Sequence, residues 1–371
     1  MPAPPPRGAP SSATRAGGRL VARGSAENPA GRFERIRSEE LDEAPGPADE
    51  AGDGEAPPVP TVYLRDPSRS LLARNQSPDI GFDTSLNPYR GCEHGCVYCY
   101  ARPTHEYLGF SAGLDFETRI LVKPDAPKLL RDALAGPGWR PQVVALSGVT
   151  DPYQPAERRL RITRGCLEVF AEFRNPVAIV TKSALVARDV DLLAELASVD
   201  AAAVNLSITT LDDALRRRIE PRAASPGARL DAIERLTRAG VPTGVMVAPV
   251  IPGLNDAEIP AIVAAAAAAG ARSAAWIMLR LPHGVAQLFE SWLERHLPER
   301  RAKVMNRLRS LRAGRVNDPR FHSRMRGSGA FAQQVEDLFT LACRRAGIGA
   351  GSPELSTAAF RRPGDAQLPL L

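Results

Sequence analysis

Three cysteines stand within eight residues in the stretch NPYRGCEHGCVYCYAR, residues 87–102: Cys92, Cys96 and Cys99, spaced C-x3-C-x2-C. Thiolates at these spacings can wrap one small site from a single loop. A structural zinc wants four protein ligands. No fourth cysteine joins the group, so a zinc site would recruit His94 or His105. A [4Fe-4S] cube has four irons, each of which takes one external ligand. Three cysteines would then leave one iron open to a substrate or cofactor. Cys166 falls on the apolar face of a helical pattern and Cys343 lies near the C-terminus, and both read as inert thiols.

The rest of the composition agrees with a metal site in a reducing compartment. Five cysteines in 371 residues, three of them clustered, argue against a secreted disulfide framework. The N-terminus lacks the apolar stretch of a signal peptide. The longest apolar run, residues 259–271, is too short to span a bilayer. A cytoplasmic protein without a membrane partner is expected. The net charge of +6 is uneven, with nine Arg and Lys303 against Glu299 and Asp318 in residues 297–326. Such an excess suits phosphate contacts, so nucleic acid is an expected partner through that segment. Against this, only four of the 48 basic residues are Lys, so the excess also reads as a general preference for Arg.

Residues 1–60, with a basic block followed by an acidic one, lack apolar periodicity and are expected to be disordered. From residue 78 to 296, short β-branched runs alternate with amphipathic stretches. The runs are 142–148, 176–182, 201–209, 242–251 and 273–279, and the helical patterns include 161–173, 189–197, 229–240 and 257–270. Alternation of this kind implies parallel βα units. With a short strand before Asn87 the units number six, too few for a closed eight-stranded barrel. The expected fold is α/β, a partial (β/α)6 TIM-like barrel with chemistry at the C-terminal strand ends. Residues 297–347 read as an Arg-rich helical extension, and 348–371 as a flexible tail.

The triplet C-x3-C-x2-C with aromatic Tyr98 before its last cysteine resembles the signature of the radical S-adenosylmethionine (radical SAM) enzymes. Together with TDPYQPAE (150–157), VTKSALVARD (180–189) and EPRAASPGARL (220–230), it resembles an uncharacterised bacterial family of that class. That family is related to spore photoproduct lyase, which repairs a thymine dimer. The resemblance covers about residues 60–345. It implies that Cys92, Cys96 and Cys99 hold a [4Fe-4S] cluster whose fourth iron is chelated by S-adenosyl-L-methionine. An external electron donor reduces the cluster, which cleaves the cofactor to a 5′-deoxyadenosyl radical.

It further implies cofactor contacts at the strand ends. Tyr98 sits in the cluster loop. Ser147 and Gly148 end the second strand, where the family binds the methionine ammonium; the usual glutamate is replaced here. Lys182 ends the third strand and would pair with the cofactor carboxylate, Ser207 on the fourth would approach the ribose, and Ile251 on the fifth would pack on the adenine. Asp151 reads equally as a contributor or as the start of a turn. Glu220 and Arg222 are expected to face the substrate or pair with each other. No cysteine matches the lyase's hydrogen donor convincingly, which puts the same repair reaction in doubt.

The chain ends QLPLL, residues 367–371, which resembles the peptides that dock bacterial DNA-maintenance proteins on the sliding clamp. The functional expectation is a radical SAM enzyme acting on a nucleic-acid lesion or modified nucleotide. The alternatives are a radical SAM enzyme acting on a small molecule or peptide, and a non-enzymatic zinc or iron–sulfur nucleic-acid-binding module.

Overall fold

The computed structural model describes residues 23–33, 59–351 and 353–363. The eleven strands in chain order are β1 (Val62–Arg65), β2 (Leu72–Arg74), β3 (Thr84–Leu86), β4 (Tyr89–Arg90), β5 (Arg119–Val122), β6 (Val144–Leu146), β7 (Val177–Thr181), β8 (Ala202–Ser207), β9 (Thr243–Val250), β10 (Ser273–Met278) and β11 (Gly349–Ala350). One sheet of eight strands runs in the order β11-β10-β9-β8-β7-β6-β3-β2. Within it β3 and β6 to β10 are mutually parallel, and β2 lies antiparallel at one edge. These six parallel strands form the expected partial barrel, and β2 and β11 remain as open edges. A small sheet, β1-β5-β4, sits beside the cysteine loop.

Helices cover the outer face: α1 (Ala126–Ala135), α2 (Ile162–Phe173), α3 (Val190–Ala197), α4 (Pro226–Arg238) and α5 (Ile259–Ala268). Local chemistry sets their starts. At α4, Ser225 accepts the Ala228 N–H at 3.2 Å, with Pro226 following it; this spares an orphan donor where proline's missing N–H does no harm. Strand alternation sorts the two faces. In β8, Val204 and Leu206 join the main core beneath the helices. Ala203, Asn205 and Ser207 turn to the barrel interior. Gly244 on β9 faces the same way: a Cβ there would lie 2.3 Å from Asn205 Oδ1, so this crowded crossing admits no side chain.

Beyond β10 the chain builds α6 (Val285–His296), α7 (Pro298–Ser310) and α8 (Ala330–Ala346). These divide between two cores. α8 packs on α5 and β10, with Phe339 6.4 Å from Trp276 and Cys343 buried in the main core. It therefore serves as a barrel helix, and the expected boundary at residue 297 does not separate it from the core. α6 and α7 form a second core with Cys96, Val97, Tyr98, Ile219 and Ile251, centred on Trp292, Phe289 and Leu308. They thus shore up the cysteine loop.

Two further differences concern the termini. Residues 23–33 lie within the stretch expected to be disordered, yet they pack against the cysteine loop through the bonds described below. Within the expected flexible tail, Phe360 lies 6.3 Å from Phe173 and the Arg361 N–H donates to Phe173 O at 2.9 Å. Gln367–Leu371 lie outside the described residues. Among the described residues, no helix is long and apolar enough to cross a membrane.

Trp292 is fully buried and donates its indole N–H to Arg218 O at 3.0 Å. Trp292→Ala is expected to lower the unfolding free energy by about 3–5 kcal/mol, read by guanidinium titration. A loss below about 1 kcal/mol would mean that this second core does not hold α6 in place.

Candidate functional site

The cysteine loop leaves β4 at the C-terminal mouth of the barrel. Gly91 (φ 79°) and Gly95 (φ 68°) make its turns in the left-handed region that glycine tolerates. The Cys92 N–H donates to Phe116 O at 2.8 Å and the Val97 N–H to Ile219 O at 3.2 Å. Cys92 and Cys96 are buried and Cys99 is partly so.

Arg102, wholly buried, braces the loop from behind. Its guanidinium donates to Cys96 O at 3.0 Å, Ala112 O at 3.2 Å, Gly113 O at 2.8 Å and the Glu117 carboxylate at 2.5 Å. The same carboxylate accepts the backbone N–H groups of Gly24 (2.9 Å) and Ser25 (2.8 Å). Residues 23–33 thereby cross the loop as a strap. A Cβ on Gly24 would lie 1.6 Å from Gly95 O, so the two backbones touch. At the far end of the strap, Arg32 pairs with Glu106 and reaches His283 at 3.1 Å.

Gln154 ties the loop to the end of β6. Its side chain accepts the Glu93 N–H at 2.9 Å and donates to Gly91 O at 3.2 Å. Asp151 is the hub on that side, accepting from Thr181 Oγ1, the Lys182 N–H and the Tyr153 N–H at 2.7–2.8 Å, with His94 Nδ1 at 3.3 Å. Burial pushes its pKa up, but the His94 ring and these donors outweigh burial and hold the carboxyl below its ordinary value. Asp151 thus starts a turn and ties the segment after β6 to the end of β7 and to the cysteine loop.

The opposite wall is a second charged network. Lys182 Nζ donates to Ala248 O (2.9 Å) and Thr209 Oγ1 (3.0 Å), and lies 3.2 Å from Glu220 Oε1. Glu220 also pairs with Arg229 and accepts from Tyr98 and Thr209. Burial opposes its ionisation, yet Arg229 and Lys182 hold its pKa well below the ordinary value. Arg229 Nη1 in turn donates to Ser207 O at 2.7 Å. Glu220 and Arg222 therefore do not pair with each other; Arg222 meets Glu93 at 3.1 Å instead.

The structure gathers most of the residues singled out in the sequence. Tyr98 and Lys182 share the Glu220 network, with the ammonium 5.7 Å from the Tyr98 ring centroid. Ser207 joins through its carbonyl, and Ile251 packs in the core that holds Cys96 and Tyr98. Ser147 (φ 147°) and Gly148 (φ 113°) sit across the mouth, where Tyr100 donates its hydroxyl to Gly148 O at 2.5 Å. His105 packs against Phe110 and Phe116, with Nε2 2.9 Å from Arg119 O.

Among the described residues, no three His, Cys, Asp or Glu side chains converge on one ion. Three soft sulfur donors on one loop suit a cluster of several irons. Burial, then the Asp151 charge and the neighbouring thiols, push Cys92 well above an ordinary thiol pKa. Bound iron would be the counter-charge that lets all three ionise.

Sequence reasoning missed Arg102, Glu117, Gln154, Asn255 and the strap. Of these, Asn255 alone has a local signal: in the turn after β9 it accepts the Ile251 N–H at 2.6 Å and donates to Pro249 O at 3.0 Å. Gln154 and the strap bind across 61 to 93 residues, and Arg102 and Glu117 lie 15 residues apart.

The family model of the radical SAM superfamily matches residues 86–266. An uncharacterized protein of Mycobacterium tuberculosis is 39% identical over 250 residues, covering 67% of this chain and 72% of the relative. A radical SAM Nalpha-GlyT isomerase of Pseudomonas phage M6 is 28% identical over 172 residues, covering 45% of this chain and 33% of that one. Among solved structures, a mutant spore photoproduct lyase with bound AdoMet and dinucleoside spore photoproduct superposes with a TM-score of 0.56 at 16% identity. It covers 78% of this chain and 81% of its own. That likeness is one of fold.

Buried His105 gives this site a pH signature. Burial lowers its pKa from 6.5 to about 4, so the folded protein keeps the ring neutral while the unfolded chain protonates it. Stability is therefore lost as pH falls through that window, by about 1.4 kcal/mol per pH unit. Denaturant titrations between these limits should show that slope reduced in His105→Gln. Identical slopes would contradict the assignment.

Proposed function

The chain belongs to the radical SAM superfamily, whose enzymes use a [4Fe-4S] cluster and S-adenosylmethionine, and from that premise we propose that Cys92, Cys96 and Cys99 hold the cluster and that the chain cleaves S-adenosylmethionine reductively. The observation that carries the reading is the cysteine loop: three thiols on one turn, at the C-terminal ends of six parallel strands, braced by buried charges. The cluster, once bound, would pass on the one electron from an external donor that reductive cleavage of S-adenosylmethionine to methionine and 5′-deoxyadenosine needs, the hydrogen coming from the substrate.

The chain's own residues orient and exclude water. Tyr98, Ser147, Gly148, Lys182, Ser207 and Ile251 border the space in which S-adenosylmethionine would lie. Glu220 carries one negative charge between Lys182 and Arg229, so the trio is net positive by one. It favours an anionic group such as the methionine carboxylate. Its bonds hold Lys182 in one place, which limits the ammonium to a fixed point charge.

For the substrate we favour a nucleic-acid lesion or modified nucleotide. A relative of the same fold has been solved with a dinucleoside, and a base in a duplex would be extruded to reach the barrel mouth. A second reading, a small molecule or peptide, draws on the arginines of 297–326. Arg301 pairs with Glu290 and Glu294, Arg307 with Asp256, Arg320 with Asp318 and Arg324 with Asp79, while Arg312 is buried. These guanidiniums are engaged within the protein, so the segment is a weaker phosphate surface than its composition suggests.

The test is anaerobic reconstitution with iron and sulfide, reduction by dithionite and addition of S-adenosylmethionine. Wild-type protein is expected to hold about four irons per chain and release 5′-deoxyadenosine, whereas Cys96→Ala should do neither. One zinc per chain and no product would overturn the reading.

A further inference from the structure

Arg280 lies two residues past the end of β10, at the mouth of the barrel. Its guanidinium carbon is 5.3 Å from the ring centroid of Tyr100, the residue after Cys99. Its Nη1 touches the Met325 sulfur at 3.6 Å, and its buried Nε has no partner. Arg312 lies close by, 1% exposed, with neutral partners at Leu279 O (2.7 Å) and Arg324 O (3.3 Å); its Nε is also unpartnered.

The nearby carboxylates are committed elsewhere. Asp79 accepts from Arg324 and from the His322 N–H, and Asp318 from Arg320 and Ser323. Burial foremost, and then Arg324, push the Arg280 pKa down, and Arg280 does the same to Arg312 after burial. Like charges kept together and partly desolvated without a counter-ion are unfavourable. They are, however, a prepared place for an anion. Tyr100, 48% exposed, flanks Arg280, and Phe321, 52% exposed, lies against the neighbouring cation, with the Arg324 guanidinium 4.6 Å from the Phe321 centroid.

We infer that Arg280, with Phe321 on the rim, forms a substrate subsite for a nucleotide of a single strand, the guanidinium taking a backbone phosphate and the aromatic face a base. The inference rests on the proposed function and specifies the substrate's chemistry. A guanidinium fork matches phosphate oxygens, and an aromatic face accepts any base. The same cation would also attract a carboxylate, so the methionine end of S-adenosylmethionine is the competing source of the anion.

The experiment uses the full chain loaded with iron and sulfide. Fluorescence anisotropy follows a labelled oligothymidylate at several salt concentrations, and equilibrium dialysis follows S-adenosylmethionine. Arg280→Gln is expected to weaken oligonucleotide binding about tenfold and to lower the salt slope by about 0.7, the loss of one phosphate contact on a single strand. Its iron content and S-adenosylmethionine affinity should match wild type. Phe321→Ala, a change at an exposed position, should weaken the oligonucleotide at least about fivefold, and it decides the matter if Arg280→Gln fails to load iron. The inference is overturned if wild type does not bind the oligonucleotide, if both variants bind it as wild type does, or if Arg280→Gln weakens S-adenosylmethionine instead. Wild-type iron content and 5′-deoxyadenosine release report separately on the proposed function.

Discussion

The mouth of this barrel depends on one ion pair sealed from water, Arg102 with Glu117, each fully buried. Two charges in such a place are tolerated when every remaining donor and acceptor is met. Here Arg102 reaches three carbonyls besides its carboxylate, and Glu117 takes two backbone N–H groups. The carbonyl of Cys96 is among those partners, so the pair fixes the loop that carries the thiols. Removing either member would leave its partner charged and buried, with the loop and the strap both released.

The same device recurs around the site. Arg229 with Glu220, and Arg188 with Glu157 and Asp189, tie strand ends and helices together through buried carboxylates. In each case a planar guanidinium spans backbone and carboxylate partners at once, which an ammonium does less well. This gives the Arg preference of the chain a structural meaning. Many of its cations are rivets inside the fold. A count of charges along the sequence therefore overstates the field that the surface presents.

How far the sequence discloses this arrangement depends on the range of the interactions. The parallel strands were legible because period and burial are local: 142–148 contains β6 and 273–279 contains β10. The cysteine triplet was legible because its spacing is contiguous. Arg102 and Glu117 were not, for a buried pair looks like a surface pair until the fold removes the water. Lys182 was rightly placed at a strand end, but its partners Thr209, Ala248 and Glu220 come from other segments. The role of α8 as a barrel helix was hidden by the insertion of α6 and α7, which break the alternation on which strand-and-helix counting relies.

The strap illustrates how composition misleads when backbone does the binding. Residues 23–33 offer few apolar side chains, and their hold on Glu117 runs through the N–H groups of Gly24 and Ser25, which every non-proline residue possesses. Their bonds to Glu117 span 92 and 93 residues of chain. The closure entropy of so long a loop is met only after the Glu117 segment is in place. Trimming the chain back to residue 60, as its composition invites, would leave that carboxylate with Arg102 but without the two amides. It would also bare the backbone of Gly95, one residue from Cys96. Residues 23–33 thus enclose part of the cysteine loop, and hydrogen bonds set the edge of that housing.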